Sequence, residues 1–174
     1  MIFKSIGLFG RYQDAAVKAT LNNIREHLEK RGCTVLLGDT THQEIQGLRI
    51  GESGQSLAEA IDLGVVVGGD GTMLHVASVL AQVDLPVIGI NMGRLGFLTD
   101  IPAERFKADI DLMLSGDFEI EERMMIKARF VRQGELKDER LALNDVVLSK
   151  GATGKMIEFD TRVRGETIGR TRGD

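Results

Sequence analysis

Residues 63–74 constrain the fold of this chain more than any other segment, and they read LGVVVGGDGTML. A continuous apolar run that ends at two glycines is typical of a buried strand in a parallel sheet followed by a sharp turn. The glycines let the backbone approach a phosphate closely, and open α/β sheets bind ligands at the carboxyl ends of their strands. The segment therefore predicts backbone donors for a phosphate beside one carboxylate, Asp70, able to act as a base or a metal partner.

Two better-known phosphate motifs do not fit this chain. The dinucleotide fingerprint G-x-G-x-x-G would need a glycine at position 74, where the chain has Leu74. The phosphate loop G-x-x-x-x-G-K-[ST] is approached at Gly154-Lys155, but Ser149 and Met156 occupy its first and last positions. For the GGDGT pentapeptide itself, a glycine turn capped by an aspartate is the alternative interpretation.

Composition favours a globular protein and argues against several classes of partner. A hydrophobic content of 43% is enough for a buried core, and a net charge of −4 argues against a nucleic-acid-binding face. The single cysteine, Cys33, excludes an internal disulfide framework and suits a reducing compartment. Because no apolar run reaches 18 residues, we expect a cytoplasmic protein without a membrane span.

Alternating strand and helix patterns over residues 1–116 predict an open, mainly parallel sheet with helices on both faces. Residues 38–56 show no convincing period and are expected to be a connection. Strand patterns lie at 3–9, 33–37, 63–67 and 86–90, and helical patterns lie at 15–30, 57–62, 73–81 and 102–114.

The pattern changes after residue 116, so residues 117–174 are expected to begin a mostly antiparallel β domain. Strands are expected within 118–132, 141–149 and 156–164, with turns at 133–135 and 151–154. About four strands leave little to cover their apolar face, so we expect this domain to be incomplete. An uncovered apolar face would make the 174-residue chain prone to association.

Two further segments carry residues suited to nucleotide binding. In residues 91–98, NMGRLGFL, Phe97 offers a flat face for a base and Arg94 offers a charge for a phosphate, although an aromatic here also suits core packing. In LNDVVL, Asn144 and Asp145 form either a hydroxyl-binding pair at the head of a strand or a turn that caps the backbone.

Five segments of this chain resemble the NAD kinase family in their order and spacing. GGDGT at 68–72 is shared with phosphofructokinases and diacylglycerol kinases, whereas NMGRLGFLTD at 91–100 and LNDVVLSKG at 143–151 favour the NAD kinases. The resemblance covers this whole chain but only the first half or so of a family member, which continues into a Thr/Ser/Gly-rich loop and further β structure. The segments are GGDGT at 68–72, NMGRLGFLTD at 91–100, ER at 122–123, LNDVVLSKG at 143–151 and RGD at 172–174.

The resemblance implies transfer of a phosphoryl group from ATP to the 2′-hydroxyl of the adenosine ribose of NAD, which gives NADP. It implies Mg²⁺ or another divalent cation as cofactor, without assigning metal ligands, because phosphoryl transfer depends on positioning and charge neutralisation. Asp70 would be the catalytic base. The phosphate loop would consist of Gly68, Gly69, Gly71 and Thr72.

The same resemblance implies an NAD-binding set and a homo-oligomer, either a dimer or a tetramer. Phe97 would lie beside the adenine, and Asn144 and Asp145 would hold ribose hydroxyls. Arg172 and Asp174 would lie near the new phosphate and the nicotinamide. Two alternatives stay open, namely a lipid or sugar kinase that shares the GGDGT loop and a non-catalytic NAD(P)-binding fragment. The NAD-binding residues would be Gly71, Phe97, Asn144, Asp145, Arg172 and Asp174.

Overall fold

The computed structural model describes residues 2–10, 14–38, 48–49, 56–93, 96–99, 101–149 and 156–173. The chain forms two compact units, Met1–Asn144 and Asp145–Asp174. Its elements in chain order are β1 (Ser5–Gly10), α1 (Ala15–Lys30), β2 (Thr34–Leu37), β3 (Leu48–Arg49), α2 (Leu57–Ala60), β4 (Leu63–Gly68), α3 (Asp70–Leu80), a 3₁₀ turn (Ala81–Val83), β5 (Val87–Asn91), β6 (Ile101–Pro102), α4 (Phe106–Ser115), β7 (Ile126–Arg132), β8 (Glu135–Ala142), β9 (Ile157–Val163) and β10 (Glu166–Gly173).

The first unit contains a parallel sheet with strand order β3-β2-β1-β4-β5-β6. The chain moves outward from β1 to β3 and then returns to place β4 on the other side of β1. The point where the order reverses, between β1 and β4, is where sheets of this kind leave a crevice for a ligand. The predicted fold class, an open parallel sheet followed by antiparallel β structure, is confirmed.

Helices cover both faces of this sheet because the side chains of the central strands alternate between two cores. Val65 and Val67 belong to the core beneath α1 and α4, whereas Val66 belongs to the core beneath α2 and α3. The buried residues of α1 recur every three or four positions, as a helix with one apolar face requires. They are Val17, Leu21, Ile24 and Leu28.

Asp62 joins the starts of the two central strands. Its Oδ2 accepts the Lys4 backbone N–H at 2.7 Å, and both carboxylate oxygens accept the Ser5 N–H, at 3.1 and 3.2 Å. These bonds tie the beginning of β1 to the residue that precedes β4. They therefore stabilise the strand register at the edge of the sheet opposite the carboxyl ends.

Two antiparallel hairpins follow the sheet, one in each unit. β7 pairs with β8 through a turn at Gln133-Gly134, and β9 pairs with β10 through a turn at Arg164-Gly165. Both residues of each turn have positive φ, which matches the backbone of a two-residue type I′ hairpin turn. None of the helices in the described parts of the chain is long and apolar enough to cross a membrane.

Some element limits differ from the sequence-based expectations. The helix expected from residue 73 begins at Asp70, because the carbonyl of Gly69 already accepts the N–H groups of Thr72 and Met73. Of the strand expected at 141–149, only residues 141–142 lie in a strand, at the end of β8, because its partner β7 begins at Ile126, opposite Ala142. The turn expected at 151–154 lies outside the described residues, and the domain boundary expected at 116 stays a prediction.

Candidate active site

The glycine-rich loop connects the central strand β4 to α3 through a single residue, Gly69. A Cβ at Gly68 would lie 2.8 Å from the Thr72 hydroxyl oxygen, so the helix packs too closely on the strand end for a larger residue. At Gly69 and Gly71 a Cβ would meet no atom within 4 Å. Their open surface lets a ligand approach the first-turn N–H groups, which are helix donors suited to an anion.

A cleft of about 410 Å³ lies beside this loop at the reversal of strand order. Its volume is within the range of small-molecule sites. The N-termini of α1 and α3 both border it, and helix N-termini favour negatively charged groups. The lining consists of Asp14 and Val17 from the start of α1, Gly68, Gly69 and Thr72 from the loop, and Asn91, Met92 and Gly93 after β5.

The Asp70 carboxylate holds a second loop, which we define as the 96–99 loop. Asp70 Oδ2 accepts the Phe97 N–H at 2.9 Å, and Asp70 Oδ1 accepts the Leu98 N–H at 3.1 Å and the Thr99 hydroxyl at 3.4 Å. The bond from Phe97, followed by that from Leu98, lowers the pKa of Asp70 below its ordinary value. The carboxylate therefore stays ionised at neutral pH.

Gly96 makes this close approach possible. A Cβ there would lie 2.1 Å from Asp70 Oδ1 and 2.8 Å from Asp70 Cγ. Phe97, whose N–H is bound to Asp70, is 94% exposed and packs in no core among the described residues. Arg94 lies outside the described residues.

Within the first unit, the structure brings together the glycine-rich loop, Asp70 and Phe97. Asn144 is exposed in the bend after β8, a strand that contacts α3. Asp145 and Arg172 belong to the second unit, where Arg172 Nε donates to Glu158 Oε2 at 3.2 Å. Asp174 lies outside the described residues. Their binding of NAD stays a prediction.

Sequence reasoning missed two buried polar residues beside the loop, Asn91 and Thr99. Asn91 ends β5 and Thr99 ends the 96–99 loop, and both are buried. The available signal was a polar residue directly after an apolar strand, which is costly to bury unless its side chain is hydrogen-bonded. Within the described residues, no group of three His, Cys, Asp or Glu side chains is arranged to hold a metal ion by itself.

The fold and this site define an open α/β protein whose glycine-rich loop is suited to a phosphate group. A family model, the ATP-NAD kinase N-terminal domain, matches residues 6–118, and the chain belongs to the NAD kinase family. It is 40% identical over 175 residues to the NAD kinase of Laribacter hongkongensis (strain HLHK9), covering 99% of this chain and 60% of that protein. It is 38% identical over 174 residues to the NAD kinase of Nitrosomonas eutropha (strain DSM 101675 / C91 / Nm57), covering 99% and 59%.

Two solved structures are similar to this chain. Yeast NADH kinase complexed with NADH superposes with a TM-score of 0.78 at 18% identity, covering 100% of this chain and 56% of that chain. An NAD kinase from Archaeoglobus fulgidus in complex with ATP gives a TM-score of 0.65 at 29% identity, covering 97% and 57%. The chain thus spans about 60% of the length of the curated relatives reported above and somewhat less of these structures.

Proposed function

We propose that this chain takes part in the transfer of a phosphoryl group from ATP to the 2′-hydroxyl of the adenosine ribose of NAD, which gives NADP. The observation that carries the proposal is the ionised Asp70 on the first turn of α3, next to the open glycines of the phosphate loop. The relatives reported above are NAD kinases, and the two solved structures contain NADH and ATP, respectively.

In this proposal the phosphates of ATP lie in the cleft between the N-termini of α1 and α3. Gly68, Gly69, Gly71 and Thr72 form the phosphate loop, and the first-turn N–H groups stabilise the negative charge. The open space at Gly69 and Gly71 supports this role because no side chain separates the backbone from the ligand.

Asp70 is proposed as the residue that receives the proton of the ribose hydroxyl. The 2′-oxygen attacks the γ-phosphorus, the bond from that phosphorus to the β–γ bridging oxygen breaks, and ADP leaves with the bond's electrons. The hydroxyl proton passes to Asp70 as the new oxygen–phosphorus bond forms. A lowered pKa makes this carboxylate a weak base, which suits a transition state with late proton transfer and catalysis by positioning.

The NAD-binding part of the proposal combines the described site with the expected set. The exposed ring of Phe97 is offered to the adenine, and stacking on its free face needs no rearrangement of a core. The side-chain oxygens of Asn144 and Asp145 would accept hydrogen bonds from ribose hydroxyls and so orient the nucleophile. Gly71, Arg172 and Asp174 complete the proposed set.

A divalent cation fits the donors of this cleft only together with a nucleotide. Mg²⁺ in kinases is held by one or two carboxylates plus substrate phosphates, and Asp14 is the carboxylate in the cleft lining. Asp14 Oδ1 already accepts the Ala16 N–H at 2.8 Å, which orients the group. The cation would neutralise charge on the transferred phosphoryl group.

Three further expectations complete the proposal, and they concern the second domain, the oligomeric state and the cellular location. The β structure after residue 116 is proposed as the start of a second domain, which the end of the family match at residue 118 supports. A homo-oligomer, dimer or tetramer, is proposed from the family resemblance. A cytoplasmic location is proposed from the single cysteine, which needs no oxidising compartment.

The test incubates the purified chain with NAD, ATP and Mg²⁺ and measures NADP by an enzymatic cycling assay, while calorimetry measures NAD binding separately. We expect slow NADP formation that requires both ATP and NAD. Binding of NAD without NADP formation would favour the non-catalytic module. Phosphorylation of diacylglycerol or fructose 6-phosphate in place of NAD would favour the lipid or sugar kinase.

A further inference from the structure

A buried hydrogen-bonded pair lies directly behind the Asp70 carboxylate. Asn91 is 5% exposed and Thr99 is fully buried. Asn91 Nδ2 donates to the Thr99 carbonyl at 3.1 Å and to the Thr99 hydroxyl oxygen at 3.0 Å. Asn91 Oδ1 accepts the Gly93 N–H at 2.7 Å. One side chain at the end of β5 thus holds both ends of the segment that follows it.

The direction of every bond in this group is determined by its neighbours. The Thr99 carbonyl can only accept and the Gly93 N–H can only donate, so the Asn91 amide has a single orientation that satisfies both. Since the Thr99 hydroxyl oxygen accepts from Asn91, its one proton is available to the Asp70 carboxylate, whose Oδ1 lies 3.4 Å away. The bonds run in one direction, from β5 through Thr99 to Asp70.

We propose that Asn91 and Thr99 are positioning residues that set the direction of the Asp70 carboxylate and the place of the Phe97 ring. Asn91 fixes Thr99 against β5, and Thr99 then holds the 96–99 loop where its N–H groups meet Asp70. The kinetic part of this inference rests on the proposed function, whereas the loop geometry does not. Neither residue needs to touch a substrate for this role.

Substitutions at Thr99 can distinguish a positioning role from a packing role, because the methyl and hydroxyl groups of its side chain have different contacts. Its methyl group packs against β5, where a Cβ at Gly89 would lie 2.7 Å from Thr99 Cγ2. Its hydroxyl group carries the bonds to Asn91 and Asp70. Thr99→Val keeps the methyl group and removes the hydroxyl, whereas Thr99→Ser does the reverse.

The experiment compares these two variants in the full chain. Thr161→Val makes the same Thr-to-Val substitution at an exposed position of β9 and serves as the control. Amide hydrogen exchange, measured by NMR, gives the ratio of the rates at Phe97 and Leu98 to the rates in β4. The rates in β4 report unfolding of the sheet, so a rise at Phe97 and Leu98 that exceeds the rise in β4 reports opening of the 96–99 loop. We expect Thr99→Val to raise the ratio about tenfold or more, and Thr99→Ser and Thr161→Val to leave it within about twofold.

NADP formation by the same proteins supplies the second readout. Thr99→Val should lower kcat by roughly tenfold with little change in the KM for ATP, and Thr99→Ser should retain near-normal kcat. An unchanged exchange ratio in Thr99→Val, or an equal rise in Thr99→Ser, would overturn the inference. A wild-type chain that forms no NADP would contradict the proposed function instead, and the exchange ratio would still decide this inference.

Discussion

The parallel sheet and the two hairpins of this chain obtain their order in different ways. Every buried hydrophobic side chain among the described residues lies between Ile6 and Leu114, in the parallel sheet, its helices and their connections. The strands of the hairpins are mostly exposed on both faces, from β7 through β10. The sheet is therefore specified by burial, whereas the hairpins are specified by their turns and by pairs of facing side chains.

Charged pairs link the facing strands of the hairpins. Glu139 of β8 faces Arg129 and Lys127 of β7, and Glu158 of β9 faces Arg170 and Arg172 of β10. Exposed ion pairs contribute little to stability, and an isolated two-stranded hairpin is marginal in water. The comparison teaches that turns and facing side chains can determine strand register without a buried core, and that the buried sheet is the part of the molecule that carries the glycine-rich loop.

The largest expected effect compares one substitution in the two regions of the first unit. Leu28→Ala in α1 removes a side chain that is fully buried, whereas Leu136→Ala in β8 removes one that is 56% exposed. We expect Leu28→Ala to lower the free energy of unfolding by about 2–5 kcal/mol and Leu136→Ala to lower it by under about 1 kcal/mol. Denaturant unfolding followed by circular dichroism measures both, and equal losses would end the contrast between sheet and hairpin.

The second prediction compares the effect on NADP formation of removing one carboxylate beside the sheet, Asp70, and one in a hairpin, Asp160. Asp70→Asn should reduce kcat for NADP formation by about a hundredfold or more while leaving the fold intact, because the amide cannot receive the hydroxyl proton. Asp160→Asn in β9 removes one partner of Arg170, which keeps Glu158, and should leave kcat unchanged. Near-normal turnover of Asp70→Asn would remove Asp70 from the mechanism.

The third prediction places one extra methyl group in each region. Gly96→Ala introduces a Cβ at 2.1 Å from Asp70 Oδ1, so the carboxylate and the 96–99 loop must separate, at a cost of about 1–3 kcal/mol. Gly169→Ala in β10 meets no atom within 4 Å. Thermal unfolding and NAD titration calorimetry should show losses for Gly96→Ala alone. A neutral Gly96→Ala would mean that the two loops part freely.

The smallest expected effect concerns pH in the first hairpin. The hydrogen bond from Arg129 is the main cause that lowers the pKa of Glu139 below its ordinary 4.5. Since the folded pKa is the lower one, the stabilisation is present above the unfolded pKa and is lost as the pH falls through the folded pKa.

Carboxyl NMR titration of Glu139 tests this assignment. The midpoint should rise toward the ordinary value in Arg129→Gln and rise less in Lys127→Gln, because the charge of Lys127 is a lesser cause. If the midpoint is the same in the wild type and Arg129→Gln, cross-strand pairing does not order this hairpin in solution.

Elements with complete local signals were predictable from the sequence. α1 has the expected limits, 15–30, because the Asp14 side chain caps its first turn and Gly32, with a φ of +85°, follows its end. The valine strand and the turn at Gln133-Gly134 were also predictable, since apolar runs and turn residues act over a few positions. The glycine turn between the valine strand and α3 was recognisable for the same reason.

Contacts between distant segments were not predictable. Asp70 is 27 residues from Phe97 in the chain, and they meet only because β4 and β5 are neighbours that end side by side, at Gly68 and Asn91. The apolar run at 146–148 resembles a strand, but the described structure gives it no neighbouring strand to pair with. Strand formation depends on a partner, which one segment of sequence does not reveal.

The bonds from Asp62 to Lys4 and Ser5 have a consequence for synthesis on the ribosome. They join residues 58 and 57 positions apart, and β4 follows them in the chain. β1 can pair with β2 soon after both emerge, but its other edge waits for residues 38–68 to be translated. At about 5–20 residues per second this takes roughly 1.5–6 s, during which an apolar strand edge is open. Shielding of this strand edge by chaperones should therefore matter most while residues 38–68 are being translated.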